Sequence, residues 1–327
     1  MKIYGITMGD SSGVGPEILL KCFRNGDLQR PVIAYGDIEA LAYYNDLLKY
    51  GIKLRKITSA AEYQPGPLNV VDLGIMRHED VRVGQLDGKS GRAAREYVVA
   101  ATHAVLEHQI AAMITLPMNK EATQISDPNF VGHTELIGNL CGVKDVTIML
   151  ASDQLIVTHV TTHVSLKTAI ARAKKERICT ILRLTTDAVR KLRPNPRIAV
   201  AGLNPHAGEN GLFGDEERTD IRPAVEWAQS QGMPVEGPFP PDTLFYMAVR
   251  KKKFDAIVCM YHDQGHVPLK LLDFEGGVNV ALGLPIVRTS VDHGTAFDIA
   301  GQGVASGVSL VRALNLAINL SSGSIEP

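Results

Sequence analysis

The sequence predicts a layered α/β fold with about two domains' worth of chain, and three observations carry that reading. Short apolar, β-branched runs alternate with amphipathic segments from end to end, the pattern of helices packed on a sheet. The 327 residues exceed a single average domain. No internal repeat or low-complexity linker divides them, so any boundary falls where segments cross within one α/β body. Hydrophobic residues make up 45% and charged residues 21%, ordinary for a soluble globular chain with a substantial core. The formal net charge of −1 gives no electrostatic case for nucleic acid or an anionic membrane.

IYGITMG (3–9) reads as the first strand, and DSSGVGPEILLKCF as a Gly-rich turn opening an amphipathic helix. Pro16 fits its first turn, and Glu17 lies where the helix dipole favours a carboxylate. The glycines are not spaced G-x-G-x-x-G, so no dinucleotide fingerprint is read there. Strands follow at 31–36 and 68–74, with a helix over 38–51 between them. GQLDGKSG (84–91) ends like a P-loop, but Val83 stands where the first glycine belongs and no clear strand leads in. It reads instead as the start of a helix over 91–108, whose amides could hold an anion.

A strand at 110–117 delivers Asn119 and Lys120 to its end, and His133 and Thr134 open a short helix within 127–142. Residues 146–152 and 155–166 read as a hairpin around Asp153 and Gln154, which makes the sheet mixed. His159 and His163, four apart, share a strand face there, and either reads as an inward polar group or a ligand. One continuous helix is expected over 167–192. A strand at 197–203 leads into a Gly-rich loop with Asn204, His206 and Glu209. A helix covers 221–232, and a Pro-rich loop from 237 yields to a helix after Asp242. An amphipathic helix at 306–323 closes the chain.

The chemistry concentrates in 261–300, read as a Gly-rich polar cluster that begins where the strand FDAIVCM (254–260) ends. It holds His262, His266, His293, four aspartates (Asp263, Asp273, Asp292, Asp298), Lys270 and Arg288, mostly beside Gly or Pro. Ligands of open α/β sheets bind at such strand ends. Arg288 offers a planar fork to carboxylate or phosphate, and Lys270 a point charge. His163, His206 and His262 each stand at or just past an apolar β-branched run, an arrangement that can converge three imidazoles on a cation with positions left for substrate. Asp242 and Asp263 would orient those rings or ligate in turn, with His266 and His293 as runners-up. Such a site suits alcohol oxidation, aldol-type chemistry or metal-assisted hydrolysis. The four cysteines are scattered, without CxxC, and read as reduced thiols. With no secretory n- and h-region and no membrane-length apolar stretch, a soluble cytoplasmic protein is expected.

TMGDSSGVGPEI, LPMNKEA, GHTE, TTHVSL, NPHAGENGLFGDEE, GPFPPDTLF, YHDQGHVPLK and GVNVALGLPIVRTSVDHGTAFDIAG together resemble the 4-hydroxythreonine-4-phosphate dehydrogenase (PdxA-like) family over essentially the whole chain. One departure is Ser11-Ser12, where the family usually has Pro-Ala. The resemblance implies the fold of the isocitrate and isopropylmalate dehydrogenases, two α/β/α lobes around a cleft. Residues 1–130 plus 283–327 would form the first lobe, and 131–282 the second, with most metal and substrate ligands. It implies a homodimer with shared sites, and NAD bound without a Rossmann fingerprint. It also implies a divalent metal (Zn, Co, Mg or Mn) and oxidation of the C3 hydroxyl of a 4-phosphorylated 3-hydroxy acid, then decarboxylation. The substrate expected is 4-phospho-D-threonate or 4-phospho-D-erythronate, with 4-phosphohydroxy-L-threonine of pyridoxal phosphate biosynthesis as the alternative. A phosphate acyltransferase on a related fold and a non-catalytic sugar-phosphate sensor are more distant readings. Family positions match His163, His206 and His262 for metal, and His133, Thr134, Lys270, Asn279 and Arg288 for substrate. Asp242, Asp263 and Lys270 are the catalytic candidates, and Asn119, Lys120 and Asp292 those for the cofactor.

Overall fold

In the computed structural model, which describes residues 1–322, strands and helices alternate in two α/β units. β1 (Tyr4–Thr7), α1 (Gly15–Asn25), β2 (Val32–Gly36), α2 (Ile38–Leu47), β3 (Leu54–Ile57), β4 (Leu68–Asp72), α3 (Gly88–Leu106), β5 (Ala112–Thr115), α4 (Lys120–Ser126) and α5 (His133–Leu140) belong to the first unit. The second unit runs through β6 (Thr147–Ala151), β7 (Ile156–His159), α6 (Leu166–Arg172), α7 (Lys175–Arg190), β8 (Ile198–Ala201), α8 (Arg222–Ser230), β9 (Val235–Phe239), α9 (Pro241–Val249), β10 (Ala256–Cys259), α10 (His262–Leu272) and β11 (Val278–Leu282). β12 (Arg288–Val291) and α11 (Val308–Ser322) return the chain to the first unit.

The first unit, Met1–Lys144 with Leu284–Ser321, holds a parallel sheet in the order β3-β4-β2-β1-β5-β12. Its central strands are apolar on both faces, as a sheet covered by helices on both sides requires. Pro16 stands in the first turn of α1, and Gly26 closes that helix in the left-handed conformation that favours glycine. Glu17 does more than sit near the dipole: its buried carboxylate accepts the Ala305 amide at 2.9 Å.

The second unit orders its strands β11-β6-β7-β10-β8-β9. The β11–β6 and β6–β7 pairs are antiparallel and the rest parallel, the mixed sheet that the hairpin predicted. Leu150, Val157, Ala199, Ile257, Leu244 and Leu269 form its core, each large apolar side chain contributing about 1.5–3 kcal/mol by burial. Among the described residues, no helix is long and apolar enough to cross a membrane.

Several elements differ from expectation. Residues 131–144, expected in the second lobe, cluster with the first unit, which takes His133 and Thr134 with them. The helix expected over 167–192 breaks at Ala173 and Lys174. There Asp220 accepts the Lys175 amide at 3.2 Å and the Lys174 ammonium at 3.0 Å, so it serves the new N-terminus from outside. The Pro-rich stretch forms β9 before α9, and α9 starts at Pro241, which places Asp242 in its first turn. Much of the polar stretch 261–300, to which the sequence assigned no element, is α10, β11 and β12. Gly265 and Pro268 oppose a helix by about 1 and 3 kcal/mol. Gln264 offsets part of that cost by accepting the Met260 amide and donating to the Gly202 carbonyl, both at 2.7 Å.

Candidate active site

β7, β10 and β8 are neighbouring parallel strands, and a histidine follows the C-terminal end of each. His163 lies beyond β7, His262 opens α10 after β10, and His206 lies beyond β8. The rings of His163 and His262 approach to 5.5 Å between centroids. His206 does not join them; its ring pairs with Phe213 at 6.2 Å. Among the described residues no three His, Cys, Asp or Glu side chains gather into a metal-holding group. His262 Nδ1 lies 2.7 Å from Asp263 Oδ1. A carboxylate only accepts, so Nδ1 carries the hydrogen and a neutral ring keeps its lone pair on Nε2, the tautomer suited to a cation. The His163–His262 pair therefore fits two imidazole positions of a divalent site. Asp242 is exposed on α9, which packs against the turn that carries His206.

That turn is unusual. His206, Ala207, Gly208, Glu209 and Asn210 all have positive φ, between 41° and 76°. For L-residues this conformation costs about 1–2 kcal/mol each. Buried Glu217 holds the turn's entry: Oε1 accepts the Leu203 and Asn204 amides, each at 2.7 Å, and Oε2 accepts Asn204 Nδ2 at 2.9 Å. Asn204 also donates to Glu216 at 2.7 Å. A Cβ at position 208 would stand 2.7 Å from Glu217 Oε2, so the close approach requires Gly208.

His159 is fully buried, and burial, followed by the charge of His266, pushes its pKa down to about 3. Its Nε2 lies 3.2 Å from His266 Nδ1, and the His266 ring stacks on His262 at 3.5 Å. The sequence reading left this contact unseen because the i, i+4 spacing of His262 and His266 has meaning only on a helix. Lys270 Nζ lies 5.2 Å from the centre of the Phe274 ring. Asn279, on β11, has a buried Oδ1 without a hydrogen-bond partner among the described residues.

The first unit brings together the residues of a candidate anion site. Arg288 is buried at the start of β12 and donates from Nε and Nη2 to Thr115 Oγ1 on β5, at 3.2 and 2.6 Å. Burial, opposed in part by the charge of Glu135, lowers its pKa to about 10, so it stays cationic at neutral pH. His133, first in α5, is held neutral: burial, then the Arg288 charge, lowers its pKa to about 3. Its buried Nε2 has no partner among the described residues. A desolvated guanidinium, a neutral imidazole and a helix N-terminus suit a carboxylate or phosphate, and half-buried Thr134 follows His133 in that first turn.

The cofactor candidates are less gathered. Asn119 caps α4, its Oδ1 accepting the Ala122 amide at 2.9 Å; Lys120 is exposed, and the Asp292 amide donates to Ser309 Oγ at 3.2 Å. Ser90 of the GKSG segment hydrogen-bonds the Asp10 carboxylate and lies 2.7 Å from Ser11 Oγ, so its hydroxyl serves the unit itself. Asp10, which lies in the TMGDSSGVGPEI motif but was not among the site candidates, is buried, and desolvation raises its pKa.

Residues 27–317 match the family model described as pyridoxal phosphate biosynthetic protein PdxA. The chain belongs to the PdxA family. The D-threonate 4-phosphate dehydrogenase of Cupriavidus necator is 44% identical to this PdxA-family chain over 329 residues, 98% of each. The crystal structure of a 4-hydroxythreonine-4-phosphate dehydrogenase from Klebsiella pneumoniae matches with a TM-score of 0.89 at 42% identity, covering 98% of this chain and 100% of that one. A β-decarboxylating dehydrogenase from Thermococcus kodakarensis, 14% identical, shares the fold at a TM-score of 0.54, over 98% of this chain and 83% of that one. The dehydrogenase fold expected from the sequence is therefore present, and as a PdxA-family dehydrogenase the protein is an oxidoreductase.

Proposed function

We propose that the protein catalyses NAD-dependent, divalent-metal-dependent oxidation of the C3 hydroxyl of 4-phospho-D-threonate or 4-phospho-D-erythronate, followed by decarboxylation of the 3-keto acid. Arg288 carries the reading of an anionic substrate. A guanidinium buried against one hydroxyl, with the Glu135 carboxylate acting on it but forming no direct ion pair, keeps donors free for a bound anion. The 44% identity to a D-threonate 4-phosphate dehydrogenase supports that substrate class. The Klebsiella relative's name favours 4-phosphohydroxy-L-threonine as the alternative.

In this reading Arg288, His133 and Thr134 clamp an anionic end of the substrate, and Lys270 and Asn279 bind its remaining oxygens. His163 and His262 hold the cation, with Asp263 keeping the hydrogen on His262 Nδ1. The third ligand is His206 of a second copy, in a homodimer with shared sites, which accounts for its separation from the other two rings. When bound, the metal supplies Lewis-acid polarisation of substrate oxygens, and NAD supplies the hydride acceptor. Asp242, Asp263 and Lys270 are assigned to moving the hydroxyl proton, and Asn119, Lys120 and Asp292 to the cofactor.

The test is NADH formation by purified protein with added divalent metal, run in parallel on the three substrates. Turnover of the threonate or erythronate phosphates supports the proposal. Turnover of 4-phosphohydroxy-L-threonine alone selects the alternative, and silence on all three overturns both.

A further inference from the structure

His262 and His266 lie four residues apart on α10 and so share one helix face. Their rings stack, with centroids 3.5 Å apart and planes within 10°. His266 is itself fixed. Its Nδ1 lies 3.1 Å from the His262 carbonyl oxygen, which can only accept, so that nitrogen carries a hydrogen. The same Nδ1 lies 3.2 Å from Nε2 of buried His159. His159 Nδ1 faces the Ile148 carbonyl at 3.4 Å, which puts its hydrogen there and leaves Nε2 as the acceptor. A directed series of contacts thus runs from β6 through β7 to α10. Gly265 permits it, since a Cβ there would stand 2.5 Å from His159 Nε2 and 3.0 Å from Cys259 Sγ. Asp263 alone is a weak guide for His262, because its side chain is 74% exposed.

We propose that His266, anchored by His159, is a positioning residue for His262. It holds the plane of the imidazole, so that Asp263 keeps the hydrogen on Nδ1 and the bare Nε2 is presented to a divalent cation. The inference rests on the metal reading above, but one arm of its test needs no metal.

In the metal-free wild-type protein, long-range proton–nitrogen correlation spectra should show His262 as a single Nδ1–H tautomer. His266→Leu should turn that signal into a tautomer mixture. His266→Phe keeps a stacking ring but loses the anchor, and should fall between. An unchanged His262 signal in His266→Leu overturns the proposal whatever the metal does. In the second arm, cobalt(II) is competed against a chromophoric chelator, and His266→Leu should bind on the order of 10–100-fold more weakly. Wild-type protein that binds no cobalt overturns the metal reading, and the spectra then decide the positioning role. Tight wild-type binding with equal affinity in His266→Leu overturns the positioning role alone. Should His266→Leu fail to fold, His159→Gln must shift both readouts in the same direction, and wild-type values there overturn the proposal.

Discussion

Arg288 Nη2 lies 2.6 Å from Thr115 Oγ1, a contact between two paired parallel strands. The hydroxyl occupies part of a five-donor fork and neutralises none of its charge. Arg288→Lys should therefore raise KM about 10- to 100-fold while kcat changes little, since charged hydrogen bonds contribute about 1.5–3 kcal/mol and lysine cannot reproduce the fork. Steady-state kinetics check this, and an unchanged KM with a collapsed kcat would remove Arg288 from substrate anchoring.

His206→Ala and His262→Ala should each abolish turnover. If His206 serves the partner's site, mixing and reassembling the two dead proteins should restore about a quarter of wild-type activity. Half the dimers are then mixed, and each mixed dimer carries one intact site of two. No recovery from demonstrably mixed dimers would sink the shared-site reading.

Glu217→Ala should destabilise the second unit by about 2 kcal/mol, because it strands two half-buried backbone amides at about 1 kcal/mol each. Urea denaturation measures it. Glu217→Gln retains one acceptor oxygen and should lose less.

Burial holds His159 at about 3 in the folded state, against an ordinary 6.5. Its folded pKa is lowered, so its contribution to stability is full above about 6.5 and lost as pH falls towards 3, where only the unfolded chain takes the proton. Moving from pH 7 to pH 5 should cost on the order of 2 kcal/mol through this ring. His159→Gln should flatten that loss in denaturation midpoints; equal losses in both proteins would contradict the assignment.

What the sequence revealed follows from where each element sits. β1, β5, β6, β7, β8 and β10 are buried apolar strands, so their runs are legible without context. β3 and β9 escaped notice because they are outer strands of their sheets, where LRKI and VEGPF carry polar residues and a proline. α10 was hidden by its own Gly265 and Pro268, which Gln264 and core packing override. The strand-end placement of the three histidines was readable, because a strand's periodicity marks its end. The separation of His206 was not, because a left-handed turn braced by a distant Glu217 has no local pattern. The candidate anion site was half legible: Arg288 and His133 were named, but the burial that brings them together is a tertiary fact.

The left-handed run from His206 to Asn210 sets activity against stability at a single side chain. His206→Ala removes the imidazole and leaves the backbone in a costly conformation. His206→Gly removes the same imidazole and relieves that conformation by about 1 kcal/mol. Two equally inactive variants should therefore differ in melting temperature, with the glycine variant the more stable. A selection for thermal resistance alone would tend to erode this histidine, and only a demand for turnover would keep it in place.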